Sequence, residues 1–341
     1  MCDSDVRPLK RTRHSTDDHA DSQGPSLASF SVPSPNLKRH PEIWYDNGNL
    51  VLVARETAFR IYRGLITGQS TVFSDLFISS TSCAEETFEG CPVIHVSDSP
   101  QDLAHLLRVL LPRSHIHYRT KRADPAPPFN EISAVVRLAH KVQLRYVLTA
   151  FCSPPDSYLS LSPSENIGVV NLARLTETPS LLPLALYECA YHGSAIFDGW
   201  TREDGTVEHL SGPDIRRCVD ARGRLADERA AFISRLFDET ISTGCRSHDT
   251  CFDTLVRVHR NAVRSEHLAH SADVLCDWEL ALELLEEENT LCSSCVGELV
   301  ERNRTERKKV FDKLPQIFDI TVEGWGMDDA EVEAGAVPGQ G

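Results

Sequence analysis

Two short stretches carry the residue types that chemistry needs. One reads TGCRSHDTCF at 243–252 and places Cys245 and Cys251 with five residues between them. The other reads LCSSC at 291–295, where Cys292 and Cys295 form a C-x-x-C; forty residues separate the two pairs. Four thiolates suit a closed tetrahedral Zn²⁺ site, and C-x-x-C at a helix start is a common half of one. Amide groups at a helix start also favour the thiolate form. The first pair is looser than the usual two to four intervening residues, so His248 or His259 could stand in as a ligand. Two other readings stay open. Cysteine packs helical cores as a small hydrophobe, and a C-x-x-C can serve as a redox dithiol. The redox reading needs a thioredoxin-like βαβ pattern beside the motif, and none is evident. The expected cofactor is a structural Zn²⁺ on Cys245, Cys251, Cys292 and Cys295, with core packing as its rival.

These cysteines lie in a region, 154–326, that reads as mostly α-helical. Ser162-Pro163-Ser164-Glu165 is a capping box with proline at the first position, opening onto ENIGVVNLARL. SLLPLALYECAYH follows, and then FDGWTREDGTVEHLSGPD, where Asp198-Gly199 and Asp204-Gly205 mark tight turns. RCVDARGRLADERAAFISRLF reads as a helix. ELALELLEEE at 279–288 is amphipathic through Leu280, Leu282, Leu284 and Leu285. The helix 298–314 mixes charges of both signs and reads as a surface helix with one seated edge, Leu299, Val310, Phe311 and Leu314.

The N-terminal unit, 42–153, follows a different rhythm. Asp46-Asn47-Gly48 is turn chemistry, and the runs Leu50–Val53 and Phe59–Tyr62 around a short turn predict a hairpin. At residue 65 the apolar spacing switches from two to three and four, through Leu65, Val72, Phe73, Leu76 and Phe77, with Gly68 breaking the run into two short helices and Ser70 placed to cap the second. Val93–Val96 is a third strand. Ser99, Pro100 and Asp102 open a strongly signalled helix along Leu103, Leu106, Leu107, Leu110 and Leu111. Ile132, Val135, Val136 and Ala139 mark another helix, and Leu144, Val147, Leu148 and Phe151 one more. The fold class expected is α+β. Residues 1–41 and 327–341, poor in large apolar side chains, are expected to be disordered tails.

The order of elements, carried by Asp46 and then Phe59, Ile61, Arg63, Ile66, Ser70, Phe73, Leu76 and Phe77, resembles the BTB/POZ domain. Ala139, Lys141, Leu144 and Leu148 match that family's closing pattern, and EGCPVIHVSDSP with a cysteine-bearing extension looks most like a large fungal BTB group. Two positions depart: Tyr62 stands where the family usually has histidine, and the long loop 112–128 replaces a short strand. The resemblance implies a module that packs against a second chain and recruits proteins. Leu50, Leu52, Leu65, Ile66, Val72 and Phe73 exceed what one small sheet face should need, so they are the candidate interface, with ordinary core as the alternative. The resemblance also implies two more specific roles, corepressor recruitment and substrate adaptor of a cullin-type ubiquitin ligase. For the latter, the loop ISSTSCAEETFEGCPV lacks the hydrophobic-x-Glu triplet that cullin-binding members offer.

Composition bounds the rest. The chain has 341 residues, 41 % hydrophobic and 25 % charged, as a two-domain protein with tails would. Its 35 basic and 50 acidic residues give a formal charge of −15, which opposes nucleic-acid binding despite the basic clusters at 7–14 and 112–122. No run reaches the length of a membrane span, and no secretory signal stands at the N-terminus. Eleven cysteines, an odd number, fit no disulfide framework. The expected location is intracellular, cytoplasm or nucleus. His95, Ser97 and Asp98 are triad-type residues, but adjacency in sequence does not make a triad, and no G-x-S-x-G, phosphate loop or H-E-x-x-H occurs. A non-enzymatic interaction scaffold, working as a homo- or hetero-oligomer, is the function this reading favours.

Overall fold

The computed structural model describes residues 36–75, 86–111, 127–144, 161–264, 272–287 and 290–326. It is an α+β protein. Leu76, Phe77, residues 78–85 of the 78–93 loop, the basic clusters, residues 1–35 and 327–341 of the expected tails, and Val147, Leu148 and Phe151 lie outside the described residues, as do the side chains of Leu280 and Leu285.

The expected hairpin is β2 (Leu50–Ala54) and β3 (Thr57–Ile61), antiparallel with Leu52 opposite Phe59. A strand β1 (Lys38–Trp44) pairs in parallel with β3, and β5 (Cys91–Val96) pairs in parallel with β2 on its other side. A two-residue β4 (Thr87–Phe88) completes the sheet in the order β1-β3-β2-β5-β4. The expected tail boundary at 41 is therefore corrected, because the chain is already in the sheet at Lys38. Pro41 and the charges of KRHPEIW hide this strand. An edge strand tolerates a proline that cannot donate to the ladder, and the register shifts between Arg39 and Trp44.

Every residue of β2 is buried. Leu50, Leu52 and Ala54 face a core completed by α2 (Pro100–Leu110) and α3 (Phe129–Lys141). Val51 and Val53 face the other side, against Ala58, Cys91 and Val93, where Trp44 and Phe88 pack over them edge to face. A strand covered on both faces reads as a continuous apolar run rather than an alternating one.

Capping follows the sequence closely. Ser99 Oγ accepts the Asp102 N–H and Pro100 takes the first position of α2. After α1 (Arg63–Thr67), Ser70 Oγ accepts the Phe73 N–H at 3.2 Å and donates to the Val142 carbonyl at 2.7 Å. One buried hydroxyl thus caps a short helix and ties it to the end of α3.

Helix α3 serves two cores. Val135, Leu138 and Ala139 join the sheet, while Phe129 and Val136 join the core of the following region. That region stacks α4 (Glu165–Leu175), α5 (Leu182–Tyr191), α6 (Gly212–Leu236), α7 (His248–Arg264), α8 (Glu279–Glu287) and α9 (Ser293–Ile317). Ser162 N–H donates to Glu165, which is the acidic half of the expected capping box. A small hairpin interrupts the helices, β6 (Trp200–Thr201) and β7 (Val207–Glu208), turned at Gly205 with φ of 81°. Helix α9 is longer than expected, and its seated edge is a full stripe from Cys295 through Leu299, Val310 and Leu314 to Ile317. Among the described residues no helix is long and apolar enough to cross a membrane.

Candidate metal centre

The four cysteines converge. Cys245 lies in the loop between α6 and α7, and Cys251 in the first turn of α7, its N–H donating to the Ser247 carbonyl. Cys292 is the N-cap of α9 and Cys295 lies in that helix's first turn. Two helix starts and one loop thus point four sulfurs at one another. All four Sγ atoms lie within 4.8 Å of one another, close enough to hold a metal ion. The Cys245 and Cys292 sulfurs are 3.7 Å apart. A tetrahedron with metal–sulfur bonds of about 2.3 Å has edges of about 3.8 Å, so this spacing fits.

The surroundings suit thiolates. Cys292 N–H donates to the Cys251 sulfur at 3.4 Å, and the N–H groups of Arg246 and Cys295 donate to the Cys292 sulfur. Burial pushes the Cys292 thiol up, but these donors outweigh it and hold the group well below the ordinary thiol value. Burial pushes Cys295 up, with further upward contributions from Cys245, Cys292 and, least, Cys251, and it raises Cys251 as well. Cys292 therefore ionises readily, while burial first and the neighbouring sulfurs second oppose ionisation of Cys251 and Cys295. A dication among them removes that opposition. Packing alone would not require four sulfurs to face a single point.

Neither expected substitute ligand is in the group. The His248 side chain is exposed and lies near Asp249, so both histidines are corrected to non-ligands in this arrangement. Among the described residues the helical region carries one pair of strands, the antiparallel β6–β7 hairpin, and so holds no parallel βαβ unit of the redox kind. What the sequence did not reveal is the set of backbone donors from Ser242, Arg246 and Cys292, because a main-chain N–H leaves no signature in residue type.

The candidate interface residues divide. Leu50, Leu52, Ile66 and Phe73 are buried within this one chain at 4 % exposure or less. They are corrected from interface to core, because two helices already cover that sheet face. Leu65 and Val72 are only half-buried, packed at the edge of the same core. The triad-type residues do not meet as a triad either. His95 Nε2 contacts Glu86 at 3.0 Å, whereas Ser97 and Asp98 both engage the Lys141 ammonium.

A second feature went unseen in the sequence. The hairpin β6–β7 and its turn insert charged side chains against the N-terminal unit: Arg202 on Asp102, Glu203 on His105 at 2.6 Å, Asp204 near Arg55 at 3.4 Å, and Glu208 on Arg137. An open cavity of about 450 Å³ lies elsewhere, between α5 and α9, and includes Leu184, Tyr187, Glu188, Arg307 and Phe311. No protein-family model matches this sequence, and no curated protein matches it.

Proposed function

We propose that the protein is a non-enzymatic interaction scaffold, with a self-associating BTB/POZ-like module at 42–153 and a helical extension stapled by a structural Zn²⁺. The observation that carries the metal half is the convergence of four sulfurs within 4.8 Å from two helix starts and a loop. Such a site would contribute folding free energy outright, since it would tie together ligands from segments forty residues apart in sequence.

The module half is supported by the strand pairing. An antiparallel hairpin whose first strand also takes β5 in parallel, feeding a short helix, matches the element order of the resembling family. With the seam largely enclosed, the surface left for a second chain is the half-buried pair Leu65 and Val72, beside the tilted ring contact of Tyr45 and Tyr62.

Sedimentation of the full chain tests the module, and native mass spectrometry tests the metal. The expected result is a dimer at tens of micromolar carrying one zinc per subunit, with Leu65→Asp shifting it to monomer without loss of metal. A strict monomer overturns the module reading, and a mass equal to the bare chain overturns the metal reading.

A further inference from the structure

The four sulfurs are not equivalent. Cys251 and Cys295 are 1 % and 2 % exposed, buried among core residues. Cys245 and Cys292 are half-buried, open to small solutes from outside, and their sulfurs are 3.7 Å apart. We propose that the metal centre is redox-gated: a peroxide joins the outer pair, Cys245 and Cys292, in a disulfide, and the two inner cysteines alone release the metal. This rests on the metal reading above.

The chemistry balances with the peroxide as sole oxidant. A thiolate sulfur of the outer pair attacks a peroxide oxygen, the O–O bond breaks, and a sulfenic acid forms as hydroxide leaves. The neighbouring thiolate attacks that sulfur, the S–S bond forms, and a second hydroxide departs. Two electrons pass from the two sulfurs to the peroxide, and both hydroxides take up protons to become water. Closing the pair to about 2.05 Å requires a small approach. Cys245 sits on a loop, where such a shift costs less than inside a helix. Cys292 is the N-cap of α9 and its carbonyl accepts the Cys295 and Val296 N–H groups, so the approach is made by the Cys245 loop toward a fixed Cys292.

The pairing also selects against other products. Cys251 and Cys295 face inward, where a peroxide must displace packed side chains to reach them. Removing two of four ligands leaves a cation with two thiolates, too few for a closed tetrahedral site. The junction between α7 and α9 would then be held by packing and the new disulfide alone.

The experiment uses the full chain purified under reducing conditions, with its metal content measured first. Hydrogen peroxide is then added in graded doses beside a chromogenic zinc chelator. Remaining thiols are blocked and the chain is cut with trypsin. Cleavage after Arg246 places Cys245 and Cys251 on different peptides, and fragmentation separates Cys292 from Cys295. Release of about one metal ion per chain, a Cys245–Cys292 link, and recovery of metal binding after a dithiol reductant with added Zn²⁺ are expected. A chain that holds metal but links another pair, or keeps its metal while the outer pair oxidises, overturns the gating. A chain that holds no metal at the outset overturns the metal reading instead.

Discussion

The guanidinium of Arg202 lies on the carboxylate of Asp102, a residue one hundred positions earlier, with both side chains largely shielded from solvent at 14 % and 12 % exposure. The sequence places Asp102 as the acid of a helix-capping box. In the fold, Ser99 does the capping, and Asp102 is spent on joining α2 to the β6–β7 hairpin.

Arg202→Ala should therefore destabilise the chain by about 2–4 kcal/mol, because it leaves a carboxylate without its partner in a mostly buried seam. Urea denaturation of the variant checks this. A double-mutant cycle with Asp102→Asn should show coupling, and additive effects would mean that the pair does not hold the seam.

Gly168 of α4 marks the apolar half of the same seam. A Cβ built there would meet Phe129 at 2.6 Å and Trp200 at 2.7 Å, the two rings that pack at a 5.1 Å centroid distance. Gly168→Ala should cost about 1–3 kcal/mol despite alanine's better helix propensity, since rings on both sides must move. A thermal midpoint equal to or above that of the parent chain would show the rings yielding freely.

Removing the metal should loosen the helical extension first. A strong chelator should lower the melting temperature of the protein, and Cys251→Ser or Cys295→Ser should abolish zinc retention in native mass spectrometry. Cys189→Ser should leave zinc in place, because Cys189 is packed beside Cys218 in a different part of the core. Zinc retention by the Cys295→Ser protein would disprove the four-sulfur site.

Asp214 predicts a pH dependence. Burial alone would raise its carboxyl, but hydrogen bonds from Arg174 and Ser211, with the charges of Arg174 and Arg217, hold it below the ordinary value of 3.8. The depressed group binds its proton less readily folded than unfolded, so its contribution is present above the unfolded value and is lost as pH falls through the folded one. Between about pH 5 and pH 2, stability should drop more steeply in the parent than in Asp214→Asn. Parallel slopes across that range would remove Asp214 from the account of acid unfolding.

Much of the architecture was legible locally. The hairpin at 50–61, the Ser99–Pro100 helix start and the Glu165–Leu175 helix are set by short-range causes: turn residues, caps and apolar period. Each needs only neighbours within a few positions. The β1 strand was not legible, because an edge strand with a proline gains its hydrogen bonds from β3, which no local pattern announces.

The candidate site divides along the same line. Sequence determined which four thiols were suited to a metal and that one pair stood at a helix start. Tertiary structure alone decided that the second pair meets them, that the histidines stay away, and which main-chain N–H groups face the sulfurs. It also decided that Leu50, Leu52, Ile66 and Phe73 are core. Residue type states what a side chain can do in water or in oil. Which of these it meets depends on segments tens of residues away, and only the folded chain brings them together.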